Sequence, residues 1–385
     1  MLKPLAHCHL KPMDCTHYLP RTYLIVWKKI AEALTLPEDR AELSVRDTSP
    51  VAASGSEATH GVVGRWGGGQ PGLFEYGRFA GVDGCTSQPV DWEADTFYSA
   101  VASRTNVGTD KFVWVHYLGD SLLRGAFLHA AALLGGARLS ASNPENYHFD
   151  RVACCSAETG CVFEIIEPDA GASVWGFVDE FAAPESSAPR FCLSFSWTPR
   201  WERVEKQLVE AGESGSAHWP PHTFVMNPAL HEVLYGVPRG AKYNLAVLRE
   251  YTRSVLARIA ALKEKGFDTQ AVFHSGTAIE AERVENPDKR EHMAVPIVAR
   301  YNDGLREALN NEVAALRAHE WVWYFDALSL TLNKALVGGS KDGLHYTAGG
   351  YGAAVLDADM HIGFGAGRWC GDAGGGLPRR RFTTR

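Results

Sequence analysis

Residues 112–134 of this chain read FVWVHYLGDSLLRGAFLHAAALL. The first part, 112–118, is almost entirely apolar or aromatic, as is typical of a strand buried on both faces. A short polar turn, 119–121, follows it, and the pattern of residues 122–134 favours a helix. A buried strand, a tight turn and a helix in this order predict the first unit of a parallel sheet that is covered by helices.

Four further short apolar runs predict strands at 191–197, 223–226, 271–273 and 321–325. Helical periodicity is clearest at about 243–265, where Lys263, Lys265 and Gly266 form a favourable C-terminal end. A second helix is expected at about 303–319. Apolar strands that alternate with amphipathic helices predict an α/β fold with a mostly parallel sheet of about five strands and helices on both faces.

The chain of 385 residues is long enough for one large domain with an extension. Residues 1–105 are predicted to be an N-terminal extension, with a mobile linker near 46–60. The main domain is expected at 106–363, and an irregular Gly- and Arg-rich tail at 364–385.

The net charge, the longest apolar run near the start and the number of cysteines each bear on the class of protein. The net charge of −7 gives no electrostatic support to nucleic-acid binding. The longest apolar run near the start, 23–27, is far shorter than the roughly 20 residues that a membrane span needs, so we expect a soluble protein. The eight cysteines suit an oxidising compartment by their even number, but several lie in apolar runs and are equally interpreted as buried thiols.

Two patterns in the predicted extension resemble ligand sites without meeting their requirements. The glycine-rich segment 64–69 lacks the Lys-Ser/Thr of a phosphate loop, and no apolar strand precedes it, so an irregular loop is expected. A cluster of histidines and cysteines between residues 7 and 17 has no second pair of ligands at regular spacing, so no metal site is expected there.

The turn after the first predicted strand carries Gly119, Asp120 and Ser121. In an open parallel sheet, function gathers at the carboxyl ends of the strands. Ser121 at a strand-to-helix turn lies near helix N-terminal amides, which favour developing negative charge. The alternative is that Asp120 or Ser121 simply caps the helix, since both residue types are favoured N-caps.

Two later strand ends carry complementary side chains. Asn227 follows the run 223–226, and an amide there supplies the kind of donor that an oxyanion hole needs; a plain Asn–Pro turn is the alternative. Asp342 and His345 come shortly after the last predicted strand. A serine hydroxyl becomes a good nucleophile only when a base takes its proton, and a carboxylate must hold that base in one tautomer. The alternative is a capping Asp342 and a surface His345.

The order of these motifs along the chain is informative. Serine follows the first strand, the amide a middle strand and the Asp–His pair the last, so all of them are expected at one edge of the sheet. The α/β-hydrolases instead place a Gly-x-Ser-x-Gly elbow mid-chain, with Asp and His far apart. The pattern therefore predicts a serine-based site of a different type.

The chain resembles the GDSL/SGNH superfamily, and within it the PC-esterase-like branch that includes trichome-birefringence-like and sialate O-acetyltransferases. Three motifs carry the resemblance: Gly119-Asp120-Ser121 with Arg124, Asn227 with His231, and Asp342-Gly343-Leu344-His345. It covers about residues 106–363 and implies a flavodoxin-like three-layer sandwich. It implies no cofactor, and it makes 106–363 an SGNH catalytic domain.

The resemblance also implies roles. Ser121 becomes the nucleophile, His345 the base and Asp342 its partner. The backbone N–H of Ser121 and the side chain of Asn227 become oxyanion donors. The resemblance further implies that the acyl group is acetyl and that the substrate is an acylated carbohydrate. It also implies a location of the protein in the secretory pathway or Golgi.

Three further residues are candidates for lining the site: Asp120, Arg124 and His231. A surface role for Arg124 and a structural role for His231 remain open. Aromatic residues such as Trp197, Trp219 and Tyr346 are candidates for stacking on sugar rings, with core packing as the alternative.

The chain departs from the family pattern in two ways. Ala229 stands where the family commonly has glycine. The separate oxyanion glycine expected after the second strand has three candidates, Gly160, Gly171 and Gly176.

These observations predict a serine-dependent acyl-ester enzyme, either an O-acetyl esterase or an O-acetyltransferase acting on carbohydrate hydroxyls. The alternative is a catalytically inactive glycan- or lipid-binding module on the same fold. A flavodoxin-like nucleotide binder is disfavoured because the acidic turn at Asp120 would repel phosphate.

Overall fold

The computed structural model describes the backbone of residues 63–66 and 74–76, together with residues 112–134, 148–166, 173–182, 188–213, 220–235, 245–318, 320–332, 339–340, 342–346, 351–352 and 355. All of them fall in the compact unit Ala53–Arg385. The predicted linker near 46–60, the histidine and cysteine cluster at 7–17 and the tail at 364–385 lie outside the described residues.

The described strands form one sheet. They are β1 (Val63–Trp66), β2 (Phe74–Tyr76), β3 (Phe112–Gly119), β4 (Asp150–Ser156), β5 (Gly160–Ile166), β6 (Arg190–Trp197), β7 (Thr223–Asn227), β8 (Gln270–His274) and β9 (Val322–Phe325). Their spatial order is β2-β1-β9-β8-β7-β3-β6-β4-β5.

The central five strands, β9-β8-β7-β3-β6, are all parallel. This centre confirms the prediction of a mostly parallel α/β sheet of about five strands. The four outer strands are antiparallel additions, β1 and β2 beside β9 and β4 and β5 beside β6. When the five central strands are numbered by their order in the chain, their spatial order is the 2-1-3-4-5 of flavodoxin-like sheets, so the first of them, β3, lies inside the sheet between β6 and β7.

The helices are α1 (Ser121–Leu133), α2 (Val174–Ala182), α3 (Trp201–Glu213), α4 (Ala229–Tyr235), α5 (Leu245–Glu264), α6 (Pro287–His292), α7 (Val295–Leu316) and α8 (Ala327–Leu332). The α5 helix matches its predicted span, and Gly266 after it has a positive φ of 93°. The α7 helix begins well before the predicted start near 303, because a proline is compatible with a first helical turn.

Alternate residues of β3 enter two different cores, which shows that helices cover both faces of the sheet. Trp114 and Leu118 pack with α2, α3, α5 and α7. Val115 and Tyr117 pack with α1 and α8 on the other face. The three-layer arrangement was therefore predicted correctly.

One predicted loop is wrong. The segment 64–69 was expected to be irregular, but its first residues belong to β1, which pairs antiparallel with β9 from Val63↔Phe325 to Arg65↔Trp323. Without this pairing β9 would be an open edge with unpaired N–H and C=O groups. The need to cover that edge is not visible in a local sequence pattern.

Two disulfides lie at the other edge of the sheet. Cys154 of β4 is bonded to Cys192 of β6, and Cys155 of β4 is bonded to Cys161 of β5. Adjacent residues of a strand point to opposite faces, so the two bonds join β4 to its two neighbours on opposite sides of the sheet.

Within the part of the chain that the structure describes, no helix is both long and apolar enough to cross a bilayer. The same residues contain no group of three or more His, Cys, Asp or Glu side chains placed to hold a metal ion.

Candidate functional site

The carboxyl ends of β3 and β7 meet at the centre of one sheet edge. Gly119 pairs with Asn227 in parallel register. A Cβ on Gly119 would lie 2.7 Å from the carbonyl oxygen of Asn227 and 2.9 Å from Leu123 Cδ1. Glycine is therefore needed here for the close approach of two strands, rather than for an unusual turn conformation.

The side chain of Asp120 caps helix α1. Its Oδ1 accepts a hydrogen bond of 2.9 Å from the backbone N–H of Leu122. This is the capping alternative that the sequence left open, and it applies to Asp120 and not to Ser121. Ser121 is the first residue of α1, and its side chain is half-buried.

Ser121, His345 and Asp342 are joined by two short hydrogen bonds, and we call these three residues the triad. His345 Nε2 lies 2.7 Å from Ser121 Oγ, although the two residues are 224 positions apart in sequence. His345 Nδ1 lies 2.7 Å from Asp342 Oδ2. With the proton on Nδ1 directed at the carboxylate, Nε2 is the nitrogen that accepts a proton from the serine hydroxyl.

The carboxylate of Asp342 also organises its own loop. Its Oδ1 accepts hydrogen bonds from the backbone N–H groups of Leu344 (3.0 Å) and His345 (2.8 Å). Partial burial acts to raise the pKa of Asp342, but the hydrogen bonds from the His345 ring and from these two N–H groups outweigh it and lower the pKa to about 2. Asp342 is therefore ionised near neutral pH.

The buried carboxylate of Glu280, paired with the exposed Arg283, fastens the triad loop to the segment after β8. Glu280 Oε1 accepts a 2.8 Å hydrogen bond from the backbone N–H of Ser340. Arg283 pairs with Glu280 Oε2 at 3.1 Å and donates a 2.9 Å hydrogen bond to the carbonyl oxygen of Ser340. Gly343 completes the contact, since its carbonyl oxygen accepts from the backbone N–H of Glu280 at 2.9 Å.

Sequence reasoning missed Glu280 and Arg283. They lie about sixty residues before the loop that they hold, in a segment without regular structure. An isolated Glu-x-x-Arg pair carries no local sign of such a partner.

Asn227 is fully buried at the end of β7. Its Oδ1 accepts from the backbone N–H of Ala229 at 3.0 Å, and its Nδ2 donates to the carbonyl oxygen of Ser275 at 3.3 Å. The side chain thus bridges the ends of β7 and β8. An asparagine amide carries two N–H donors, and the bond to Ser275 occupies one of them.

Arg124 and His231 meet at the ring of Trp197, at the end of β6. The guanidinium carbon of Arg124 lies 5.7 Å from the centroid of that ring, and the His231 ring lies 5.5 Å from it, edge to face. Arg124 is only 7% exposed, so it has no surface role. Burial, with the positive charges of Lys289, His148 and His345 adding to it, lowers the pKa of His231 to about 4, so this ring is neutral near pH 7.

Asp120 is also buried and lies close to the charges of Arg124 and His345. Burial raises the pKa of its carboxyl to about 6, against the opposing effects of the Leu122 N–H bond and the positive charges of His345 and Arg124. The three predicted lining residues, Asp120, Arg124 and His231, therefore lie near the triad, at the carboxyl edge of the parallel strands.

Of the other two aromatic candidates for stacking on sugar rings, Tyr346 is half-buried in the protein. The hydroxyl of Tyr346 donates to the carbonyl oxygen of Ala278 at 2.9 Å, and its ring packs against Tyr351, which indicates a packing role. Trp219 lies outside the described residues.

The expected oxyanion glycine does not follow the second strand of the parallel set. That strand is β6, which continues into Thr198-Pro199-Arg200. Gly160 lies in the turn between β4 and β5; since Ser156 pairs with Arg190 at the start of β6, this turn is at the opposite edge of the sheet. Gly176 is inside α2, upstream of β6, and Gly171 is outside the described residues. Gly160 therefore lies at the edge opposite the triad, and the backbone N–H of Gly176 donates to Ser173 Oγ at 3.0 Å.

No family model matches the chain, and no curated protein matches it. Several solved structures overlap with it loosely. One is a Streptococcus pneumonia protein described as a candidate platelet activating factor, with 9% identity and a TM-score of 0.34; the match covers 70% of this chain and 92% of that one. A second is a peptidoglycan O-acetylesterase, with 10% identity, a TM-score of 0.34 and coverage of 69% of this chain and 94% of that one. A third is TesA, with 13% identity, a TM-score of 0.28 and coverage of 64% of this chain and 95% of that one. With TM-scores of 0.28 to 0.34, these similarities do not bear on the chemistry of the site.

The triad is open to solvent. The side chains of His345 and Asp342 are 41% and 51% exposed. A substrate therefore reaches Ser121 without any need to displace a core side chain. A nucleophile, a base and an orienting carboxylate in hydrogen-bond contact at an accessible edge can carry out acyl transfer.

Proposed function

We propose that this protein is a serine-dependent acyl-ester enzyme of the SGNH type. The observation that carries the proposal is the hydrogen-bonded triad, in which His345 bridges Ser121 and Asp342 at 2.7 Å on each side. Chance contacts of a serine, a histidine and an aspartate seldom combine this order with a position at the carboxyl end of a parallel sheet.

The first step forms an acyl-enzyme. The hydroxyl of Ser121 attacks the ester carbonyl carbon while its proton moves to His345 Nε2. The ionised Asp342 stabilises the imidazolium that forms. When the tetrahedral intermediate collapses, the bond to the leaving alcohol breaks, and His345 returns the proton to the alcohol oxygen.

The oxyanion requires preorganised donors. The backbone N–H of Ser121 belongs to the first turn of α1, where helix N–H groups lack intrahelical carbonyl partners. The second donor in this proposal is the amide of Asn227, one strand away from Gly119. With no glycine after β6, the hole is built from these two groups.

The second step releases the acyl group. Water attacks the acyl-enzyme in a hydrolase, and a sugar hydroxyl attacks it in a transferase, with His345 as the base in both. By resemblance to the PC-esterase-like branch, the acyl group is acetyl and the alcohol belongs to a carbohydrate. Deacetylation of an acetylated sugar, measured with and without an acceptor sugar, separates the two: free acetate formed without the acceptor identifies a hydrolase, and an acetylated acceptor identifies a transferase.

The proposal is tested by labelling with a serine-reactive fluorophosphonate. We expect the wild type to be labelled at Ser121, as shown by peptide mass spectrometry. Ser121→Ala is expected to be unlabelled and His345→Ala to be labelled at least about a hundredfold more slowly, because the hydroxyl loses its base. His292→Ala, a histidine at the end of α6, serves as the control.

A wild-type protein that is folded but unlabelled would overturn the proposal. Sugar or lipid binding without labelling would then favour the inactive binding module. Equal labelling of wild type and His345→Ala would show that the histidine does not act as the base.

A further inference from the structure

A cavity of about 550 Å³ lies at the same edge of the sheet as the triad, at the end of β6, whose Trp197 pairs with Gly119 of β3. We call it the Trp197 cavity. Its walls include Trp197 at the end of β6, Trp175 of α2, His148 and Asp150 at the start of β4, and Gln207 and Glu210 of α3. Because β4 is antiparallel to β6, the first residue of β4 lies at the carboxyl end of the parallel strands. The volume is within the range of about 300–1,000 Å³ that is usual for small-molecule sites.

The cavity combines aromatic rings with hydrogen-bonding groups. The rings of Trp197 and His148 are 4.4 Å apart, and Trp175 forms a second indole wall. Gln207 Oε1 accepts a hydrogen bond of 3.3 Å from Trp175 Nε1, which orients its amide, and that amide still carries N–H donors. Indole faces are apolar, while the groups between them are both donors and acceptors.

The charges of the lining favour an uncharged ligand. Arg203 and Glu210 of α3 both line the cavity and have opposite signs. The carboxylate of Asp150 is already occupied by hydrogen bonds from the hydroxyl of Ser196 (2.8 Å) and the backbone N–H of Trp197 (2.9 Å). A fatty-acyl chain would strip water from these groups without replacing their hydrogen bonds, which costs free energy.

Trp197 links this cavity to the triad. The same ring that forms a cavity wall contacts Arg124, one helical turn after Ser121, and His231. His231 is close enough to His345 for their charges to interact. A molecule that occupies the cavity and extends past Trp197 therefore approaches Ser121.

We propose that the Trp197 cavity binds uncharged sugar units of the substrate, with a ring stacked on tryptophan and hydroxyl groups hydrogen-bonded to Gln207 and Glu210. This inference rests on the proposed acyl-ester function and names the part of the protein that selects a carbohydrate ester. A sugar has apolar faces and a polar rim, which matches the two kinds of wall.

The test measures sugar binding without chemistry. Ser121→Ala protein is titrated with trisaccharides of xylose, mannose and N-acetylglucosamine that carry no O-acetyl ester, and binding is followed by tryptophan fluorescence and calorimetry. We expect at least one of them to bind. Adding Gln207→Ala or Glu210→Gln should weaken that binding about tenfold, a loss of the size expected for one hydrogen bond.

Glu202→Gln is the matched control, since Glu202 is exposed on the same helix and does not line the cavity. Thermal unfolding of each variant confirms that it is folded. Binding of none of the three sugars overturns the inference, and so does equal weakening by the control and the cavity variants. A preference of the wild type for long-chain over acetyl nitrophenyl esters, without sugar binding, would assign the cavity to an acyl chain and overturn it as well.

Each of the two proposals can be refuted without affecting the test of the other. Fluorophosphonate labelling of Ser121 reports on the acyl-ester function alone, because the label carries no sugar. Sugar titration of the Ser121→Ala protein reports on the cavity alone. In the wild type, the ratio of kcat/KM for an acetylated trisaccharide to that for nitrophenyl acetate should fall about tenfold in Glu210→Gln if both proposals hold.

Discussion

At the scale of single residues, Asp120 is an ionisable group that is almost completely shielded from water. It is 1% exposed, and the only charges that favour its ionised form in the described structure are Arg124 and His345. Its cap on Leu122 requires an acceptor oxygen and not a negative charge. An asparagine at this position would keep the cap and remove the buried ionisation.

This gives a prediction for stability against pH. The carboxyl of Asp120 has a folded pKa of about 6 against 3.8 in the unfolded chain, so the folded protein holds the proton more tightly. Stability from this group is present below pH 3.8 and is lost as pH rises to about 6. We therefore expect Asp120→Asn to be more stable than the wild type above pH 6, by an amount on the order of 3 kcal/mol at most, from 1.36 kcal/mol per pKa unit.

The measurement is urea unfolding of both proteins at pH 4 and pH 7. The difference between the two proteins should grow with pH. Asp303→Asn, the loss of one exposed negative charge, provides the comparison. Unfolding curves that shift in parallel for wild type and Asp120→Asn would show that the carboxyl does not titrate in this window.

At the scale of structural elements, the loop that carries Asp342 and His345 depends on Gly343. This residue has a φ of 87°, which L-residues rarely adopt, and a Cβ on it would lie 2.5 Å from Val284 Cγ2 and 2.8 Å from the carbonyl oxygen of Glu280. The glycine thus allows the loop to turn and to lie flat on the 278–284 segment.

We expect Gly343→Ala to displace the loop and to slow fluorophosphonate labelling at Ser121 by more than about tenfold, because His345 loses its contact with the hydroxyl. Gly125→Ala is the matched control: it is exposed in the middle of α1 and a Cβ there meets nothing within 4 Å. That change should leave labelling intact and raise the free energy of unfolding by about 0.5–1 kcal/mol. Wild-type labelling of Gly343→Ala would refute the argument.

Glu280 acts at the same scale, as a positioning residue for the triad loop. Removing it in Glu280→Ala leaves the Ser340 N–H without its 2.8 Å acceptor and Arg283 without its ion-pair partner. With nitrophenyl acetate as substrate, we expect kcat to fall about tenfold and KM to change little, because substrate contacts are untouched while the base is less well placed.

Glu280→Gln keeps an acceptor for Ser340 and should recover most of kcat. Glu282→Ala, an exposed neighbour, should behave as wild type. A purely structural role for Glu280 would lower the melting temperature and leave the kcat of the folded protein unchanged, so that pattern is the contrary result.

At the scale of the whole molecule, the two disulfides differ in how much of the chain they close. Cys154–Cys192 spans 38 residues and Cys155–Cys161 spans 6. In the loop-closure description, they stabilise the fold by about 4 and about 2 kcal/mol respectively, through the unfolded state. The Cys154–Cys192 bond also ties β4 to β6 of the parallel set and so helps to hold Asp150 at the Trp197 cavity.

We expect non-reducing peptide mapping to find both bonds. Cys154→Ala with Cys192→Ala should lower the free energy of unfolding by more than Cys155→Ala with Cys161→Ala. Peptide maps that contain free thiols at all four positions would contradict the pairing, and equal losses from the two double variants would contradict the loop-length argument.

The sequence predicted the centre of the fold better than its edges. The run 112–118 is apolar throughout because β3 is buried on both faces, and that property is visible in the sequence itself. The β5 strand alternates between exposed and half-buried residues at the sheet edge and gives a weaker signal. The β1 strand was missed because it is only four residues long and its pairing with β2 and β9 leaves little local signal.

For the site, the sequence alone determined which residue types stand at the strand ends: a serine after β3, an amide after β7 and an Asp–His pair late in the chain. Periodicity and strand order were enough for this, because parallel strands place their carboxyl ends together. Only the tertiary structure decided the 2.7 Å contact of His345 with Ser121 and the hold of Glu280 on the triad loop. These features depend on contacts between segments far apart in sequence, and local patterns carry no record of such contacts.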